Sequence, residues 1–235
     1  MDDRLALLAR LQGAFLADVP DADPRAPVPA CGRWRVRNLV EHLGRIHHWA
    51  AAQARRRQET PLGRGPFDLA PFYAEQAAEL RGTLAGLDPD ARAWTLLETD
   101  DPGSTVRFWH RRQVHETLVH LHDLRAATGR AVDDVAPDVW ADTVEEVVAV
   151  MQPRQVRLGR AAPLDPGVEL VATDAARTWR LGQGATSAAR VAAPARELAL
   201  VLWGRLAPDP GTVPGLAVDG DRAALGAALA ARITP

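Results

Sequence analysis

Apolar residues recur at helical spacing through the first 152 positions. Leu5, Leu8, Leu11 and Phe15 mark a first amphipathic segment, which stops before the Pro-rich stretch VPDADPRAPVPACG. A second runs from about Val36 to Arg57. A third follows Asp68, placed as an N-cap, and continues through LAPFYAEQAAELRGTLAGL. A fourth covers Val106 to Thr128, with Gly129 placed to cap its C-terminus. A fifth starts near Pro137 and carries Val139, Val144, Val147 and Val148. Four or five helices of this length joined by loops predict a bundle over residues 1–152, a fold that commonly builds metal sites between facing helices.

After MQPRQVRLGRAAPLDPG the period changes. VELVATD, RTWRLG and SAARVAA are short and β-like, with turn residues between them. PARELALVLWGRL is helical with Pro194 in its first turn, GLAVDGD reads as a further strand, and RAALGAALAARI as a closing helix. The expected class is α+β: a mainly helical domain over 1–152, a linker over 153–166, and a small α+β domain over 167–235.

Composition narrows the partners. The chain has 235 residues, 47% of them hydrophobic and 25% charged, as in a globular protein able to bury a core. Its net charge is −2 with no basic block, which argues against a nucleic-acid partner. There is no lysine, so all 28 basic residues are arginine, a bias that fits a GC-rich genome such as an actinobacterial one. Cys31 is the only cysteine, which excludes an intramolecular disulfide and a Cys-rich zinc ribbon. The first residues lack the basic start and apolar core of a signal peptide, and no apolar run approaches 18 residues. A cytoplasmic protein without a membrane partner is expected; monomer and homodimer both remain open.

The candidate chemistry lies in HETLVHLHD, His115 to Asp123. HETLVH has one residue too many for the zinc-protease pattern H-E-x-x-H. At about 100° per residue, His115 and His120 differ by about 140° and do not chelate one ion from a regular helix. Glu116 and His120, four apart, lie about 40° from each other. A catalytic zinc site takes three protein ligands, so a third is expected from another helix. His42 in NLVEHLGRIHHW fits, because with Leu39, Leu43 and Ile46 it falls on the buried face; His47 reads as off-centre and His48 as pointing away. The spacing is equally that of a polar i,i+4 pair and a hydrogen-bonded core histidine. His47, His48, His110, His115 and His122 read as surface residues or as supports of the site. Asp123, three residues after His120, is placed either to orient its imidazole or as a solvated acid near the helix end.

CGRWRVRNLVEHLGRIHHW and WHRRQVHETLVHLHD resemble two segments of the maleylpyruvate isomerase-like, mycothiol-dependent enzymes, and LVATDAARTWRLG, ARELALVLWGRL and LAVDGD resemble their C-terminal domain, related to sterol-carrier modules. The resemblance implies a DinB-like up-down four-helix bundle holding one divalent metal, zinc, through His42, Glu116 and His120. It also implies mycothiol as thiol cosubstrate, activated as thiolate for isomerisation of an activated double bond or for S-transfer to a small electrophile. Arg111 and Arg112 are candidates to hold an anionic group of substrate or thiol, with surface charge as the alternative. Trp34 and Trp109 read as core or pocket wall, and Cys31 as structural. Two further functions stay open: a hydrolase working through metal-bound water, against which no second carboxylate stands out as a general base beyond the candidates Asp123 and Glu41, and a non-catalytic binding protein that keeps the triad.

Overall fold

The computed structural model describes residues 4–132 and 135–234. The chain forms two compact units, Met1–Asp133 and Asp134–Pro235. Among the described residues the N-terminal unit contains four helices: α1 (Arg4–Asp18), α2 (Val36–Ala54), α3 (Leu69–Gly86) and α4 (Val106–Ala127). α1 packs on α4 and α3, and α2 packs on α3 and α4, so the order around the bundle is α1–α3–α2–α4. The long connections 19–35 and 87–105 therefore join helices that are not close neighbours. Periodicity announces the four helices but carries no information about this order.

The ends follow local chemistry. Four prolines between Pro20 and Pro29 prevent α1 from continuing. α2 begins where Asn38 Oδ1 accepts the backbone N–H of Arg35 at 2.9 Å. Asp68 does occupy the N-cap position of α3, but its side chain makes no capping bond. α4 ends as expected at Gly129, whose φ of +70° lets the Arg130 N–H reach back to the Arg125 carbonyl at 2.8 Å. Gly44 sets the closeness of α2 and α3, since a Cβ there would stand 2.5 Å from the Phe72 ring.

The C-terminal unit holds α5 (Pro137–Glu146), a π turn (Val147–Met151), α6 (Gln152–Arg157), β1 (Gly167–Ala172), β2 (Arg177–Leu181), β3 (Ser187–Ala193), α7 (Ala195–Leu202), β4 (Ala217–Gly220) and α8 (Arg222–Ala230). The sheet order is β2-β1-β3-β4, with β1 antiparallel to β2 and parallel to β3, and β4 antiparallel to β3. Val168, Leu170, Leu181 and Val191 are buried on one face with Leu198 and Leu202 of α7.

The division at 133/134 differs from the boundary expected at 152/153. α5 packs on α7, and the Trp179 indole N–H of β2 donates to Glu145 Oε2 at 2.7 Å, so α5 belongs to the C-terminal unit. Residues 153–157 of the expected linker are helical. Pro153 has no N–H for an i→i−4 bond, and the preceding π turn accommodates that break without ending the helix. An amphipathic stripe shows that α5 buries a face, not which unit buries it.

Among the described residues no helix is long and apolar enough to cross a membrane.

Candidate metal centre

α2 and α4 face each other across the N-terminal unit. The centre of the α2 stripe runs through Leu39, Leu43, His47 and Ala50, all buried, and His42 stands at its edge with about a third of its side chain exposed. α4 presents Glu116 and His120 one turn apart, both buried. One donor atom from each of His42, Glu116 and His120 lies within 4.8 Å of the others. Glu116 Oε1 is 3.5 Å from His42 Nε2 and 3.4 Å from His120 Nε2. Donors held about 2.0–2.2 Å from a tetrahedral ion are about 3.3–3.6 Å apart, so two edges of the triangle already have that length. Two imidazoles and one carboxylate suit zinc or another borderline divalent ion.

The surrounding groups fix these donors. Asp123 is buried and accepts from His120 Nδ1 at 2.8 Å, which leaves Nε2 turned to the other two donors. The Cys31 thiol donates to the same Asp123 oxygen at 3.5 Å. Arg112, also buried, pairs with Glu116 Oε2, so the carboxylate offers one oxygen to the triad and the other to a guanidinium. Trp34 packs on both rings, with centroids 4.8 Å from His42 and 6.4 Å from His120.

The electrostatics match this arrangement. Burial alone would raise the Glu116 carboxyl, but the Arg112 charge and the hydrogen bonds from His120 and His42 hold it well below the ordinary range. Burial alone would lower His120; its bonds to Asp123 and Glu116 and their charges instead push it up to about 9. Without a cation, the site therefore keeps a proton between two carboxylates.

The structure brings together His42, Glu116, His120, Asp123 and Arg112. Arg111, five residues before Glu116, starts about 140° around α4 from it. Other expectations change. His47 is not off-centre but fully buried, bonded through Nδ1 to Gln113 Oε1 at 2.7 Å, and its spacing from Leu43 and Ala50 carried that signal. His48 does not point away: it is buried between Glu79 Oε2 at 2.6 Å and the Thr60 carbonyl at 2.9 Å. His110 and His115 are buried as well. The Cys31–Asp123 contact spans 92 positions, and no local pattern foreshadows it.

A helical bundle with a His–Glu–His cluster on two facing helices, joined to a small α+β unit, is the architecture defined so far. The chain belongs to the mycothiol maleylpyruvate isomerase N-terminal domain family, whose model matches residues 5–125, and residues 134–227 match the MDMPI C-terminal domain. Among solved structures it is similar to a mycothiol-dependent maleylpyruvate isomerase, with 14% identity, a TM-score of 0.64 and coverage of 94% of this chain and 93% of that one. A histidine-to-alanine mutant of a mycothiol-dependent maleylpyruvate isomerase matches at 13% identity with a TM-score of 0.62, again over 94% and 93% of the two chains. No curated protein sequence matches significantly.

Proposed function

We propose that the chain is a divalent-metal-dependent enzyme that activates a low-molecular-weight thiol, mycothiol, as a thiolate, for isomerisation or S-transfer on a small electrophile. The carrying observation is the convergence of His42, Glu116 and His120 on one point, with Asp123 and Arg112 fixing two of the three, in a chain of this family. Zinc or a similar ion held there supplies positive charge that favours thiolate over thiol. His42 and His120 contribute neutral donors once His120 gives up its proton, and Glu116 contributes one negative charge. Asp123 holds the His120 ring in a single tautomer. Arg112 is assigned to orienting Glu116 rather than to gripping substrate.

A thiolate nucleophile then has two outcomes. It adds to an activated cis double bond, the carbon–carbon bond rotates, and the thiolate leaves. Alternatively it forms a lasting carbon–sulfur bond at an electrophilic carbon, either displacing a leaving group that departs with its bonding pair or opening a strained ring whose heteroatom takes up the pair and a proton. The hydrolase reading is disfavoured because its two candidate bases are engaged elsewhere, Asp123 by His120 at 2.8 Å and Glu41 by Arg37 at 3.2 Å.

Metal analysis of the purified protein, joined to turnover of maleylpyruvate and a panel of electrophiles with and without mycothiol, tests the proposal. Expected are about one divalent ion per chain, thiol-dependent turnover, and loss of both in His42→Ala and His120→Ala. Unchanged metal content in those variants, or turnover independent of thiol, overturns it.

A further inference from the structure

The connection between α1 and α2 is an ordered part of the site. Its residues fold back on themselves through an isolated bridge between Pro27 and Arg35. The Val28 N–H bonds the Trp34 carbonyl at 3.0 Å, and the Cys31 N–H and Trp34 N–H bond the carbonyls of Val28 and Cys31, both at 3.1 Å. Gly32, at φ +59°, takes the left-handed turn this path requires. The loop is also stitched to the start of α2 through the Val36 N–H on the Ala26 carbonyl and the Arg37 N–H on the Pro24 carbonyl, each at 3.0 Å. It therefore delivers two side chains to the cluster: Cys31 against Asp123, and Trp34 against the two imidazoles.

Trp34 occupies a particular place. Its ring is tilted 57° to His42 and lies within 26° of parallel to His120, while the two imidazoles meet nearly edge-on at 82° with centroids 5.1 Å apart. His120 has Asp123 as an anchor on its distal nitrogen. His42 is the most exposed of the three donors. The indole packs closer to His42 than to His120, so the loop supports the imidazole that has no carboxylate anchor of the kind Asp123 gives His120. A bulky apolar ring across both ligand imidazoles also occupies volume that water would otherwise enter, and the apolar shell of a site governs solvent access to an ion held there.

We propose that Trp34 is a positioning residue of the centre: it locks both imidazole rings and excludes additional water, keeping the coordination number of a bound ion low. This inference rests on the reading of His42, Glu116 and His120 as metal ligands. It extends that reading from the donors to the loop that confines them.

Cobalt(II) titration of the full chain tests it, since four-coordinate cobalt absorbs visible light strongly and six-coordinate cobalt weakly. In the wild type, one equivalent is expected to give the intense band. Trp34→Ala is expected to give a weaker band at saturation and a cobalt affinity lower by on the order of 10–100-fold. Trp34→Phe, which keeps a flat ring, is expected to restore most of both. Trp34→Leu serves the same comparison should the alanine variant fail to fold. A wild-type intense band that persists in Trp34→Ala or Trp34→Leu at wild-type affinity overturns the role of Trp34 while leaving the ligand assignment standing. A wild type that binds no cobalt overturns the ligand assignment, and the inference with it.

Discussion

Glu116 divides its carboxylate between two partners: Oε2 takes the guanidinium of Arg112 one turn earlier on α4, and Oε1 faces the imidazoles of His42 and His120. Both members of the pair are buried, so deleting one leaves a charge without its partner in a poorly solvated place. Such a deletion costs about 3–5 kcal/mol. Arg112→Ala is expected to lower the stability of the metal-free protein by that order in urea denaturation. Saturating zinc should recover part of the deficit, because a cation at the triad again compensates Glu116. Arg111→Ala, on another face of the helix, should leave metal content unchanged. An Arg112→Ala protein as stable as wild type without metal would show that Arg112 does not hold Glu116.

Asp123 supplies the second anchor, and its charge can be removed without changing its shape. Asp123→Asn keeps an oxygen able to accept from His120 Nδ1 but no longer raises the basicity of the ring. A loss of metal affinity on the order of 10–100-fold is expected, with the fold retained. Competition with a chelator of known affinity measures it. Equal affinity in the two proteins would reduce Asp123 to a structural acid.

Much of this was legible in the chain because it is local. The i,i+4 spacing of Glu116 and His120 fixes their shared face whatever surrounds α4, and the amphipathic stripes of α1–α4 follow from the same geometry. The switch to alternating patterns after about residue 167 likewise predicts β1, β2 and β3. What escaped is long-range. Nothing near Cys31 indicates that its thiol meets Asp123, and nothing in the valine-rich stripe of α5 says that it packs on α7. The histidines misjudge for a different reason: a hydropathy pattern treats imidazole as polar, whereas His47 sits fully buried because Gln113 satisfies Nδ1. For Arg112 the i,i+4 spacing to Glu116 was the readable signal, since a charge on a sequence does not declare whether its partner is a ligand or a neighbouring side chain.

Proton release should accompany metal binding. Burial would lower His120, but hydrogen bonding to Asp123 and Glu116 and their charges raise it to about 9. Near neutral pH an incoming cation must displace that proton, so apparent affinity should climb about tenfold per pH unit and level off near pH 9. Calorimetry with zinc at pH 7 in two buffers of different ionisation enthalpy should show release of about one proton. The same shift has a stability consequence for the metal-free protein. The folded state binds the proton more tightly than the unfolded state, so the contribution of His120 is complete below about pH 6.5 and is lost as pH rises through about 9. Zinc binding that releases no proton at pH 7 would mean that His120 is already neutral there.

His47 works in the opposite direction and in a separate window. Burial lowers it from 6.5 to about 4, only partly offset by its bond to Gln113 and the charge of Glu116. Here the unfolded state binds the proton more tightly. The contribution of the neutral ring is complete above about pH 6.5 and is lost as pH falls towards 4, to an extent of about 3 kcal/mol if the whole shift is expressed. The contribution of His120 changes above pH 6.5, and Glu116 and Glu79, both lowered from 4.5, act below that value. Between about pH 4.5 and 6.5 His47 is therefore expected to contribute to the pH dependence of the N-terminal unit. Urea denaturation of the metal-free wild type should show stability falling across that interval with a slope approaching one proton. His47→Gln cannot titrate: it should be less stable at pH 7, having lost a ring that packs 5.6 Å from Tyr73, yet show a shallower slope than the wild type from pH 6.5 to 4.5. A variant that keeps the wild-type slope would place the acid-sensitive group elsewhere in the bundle.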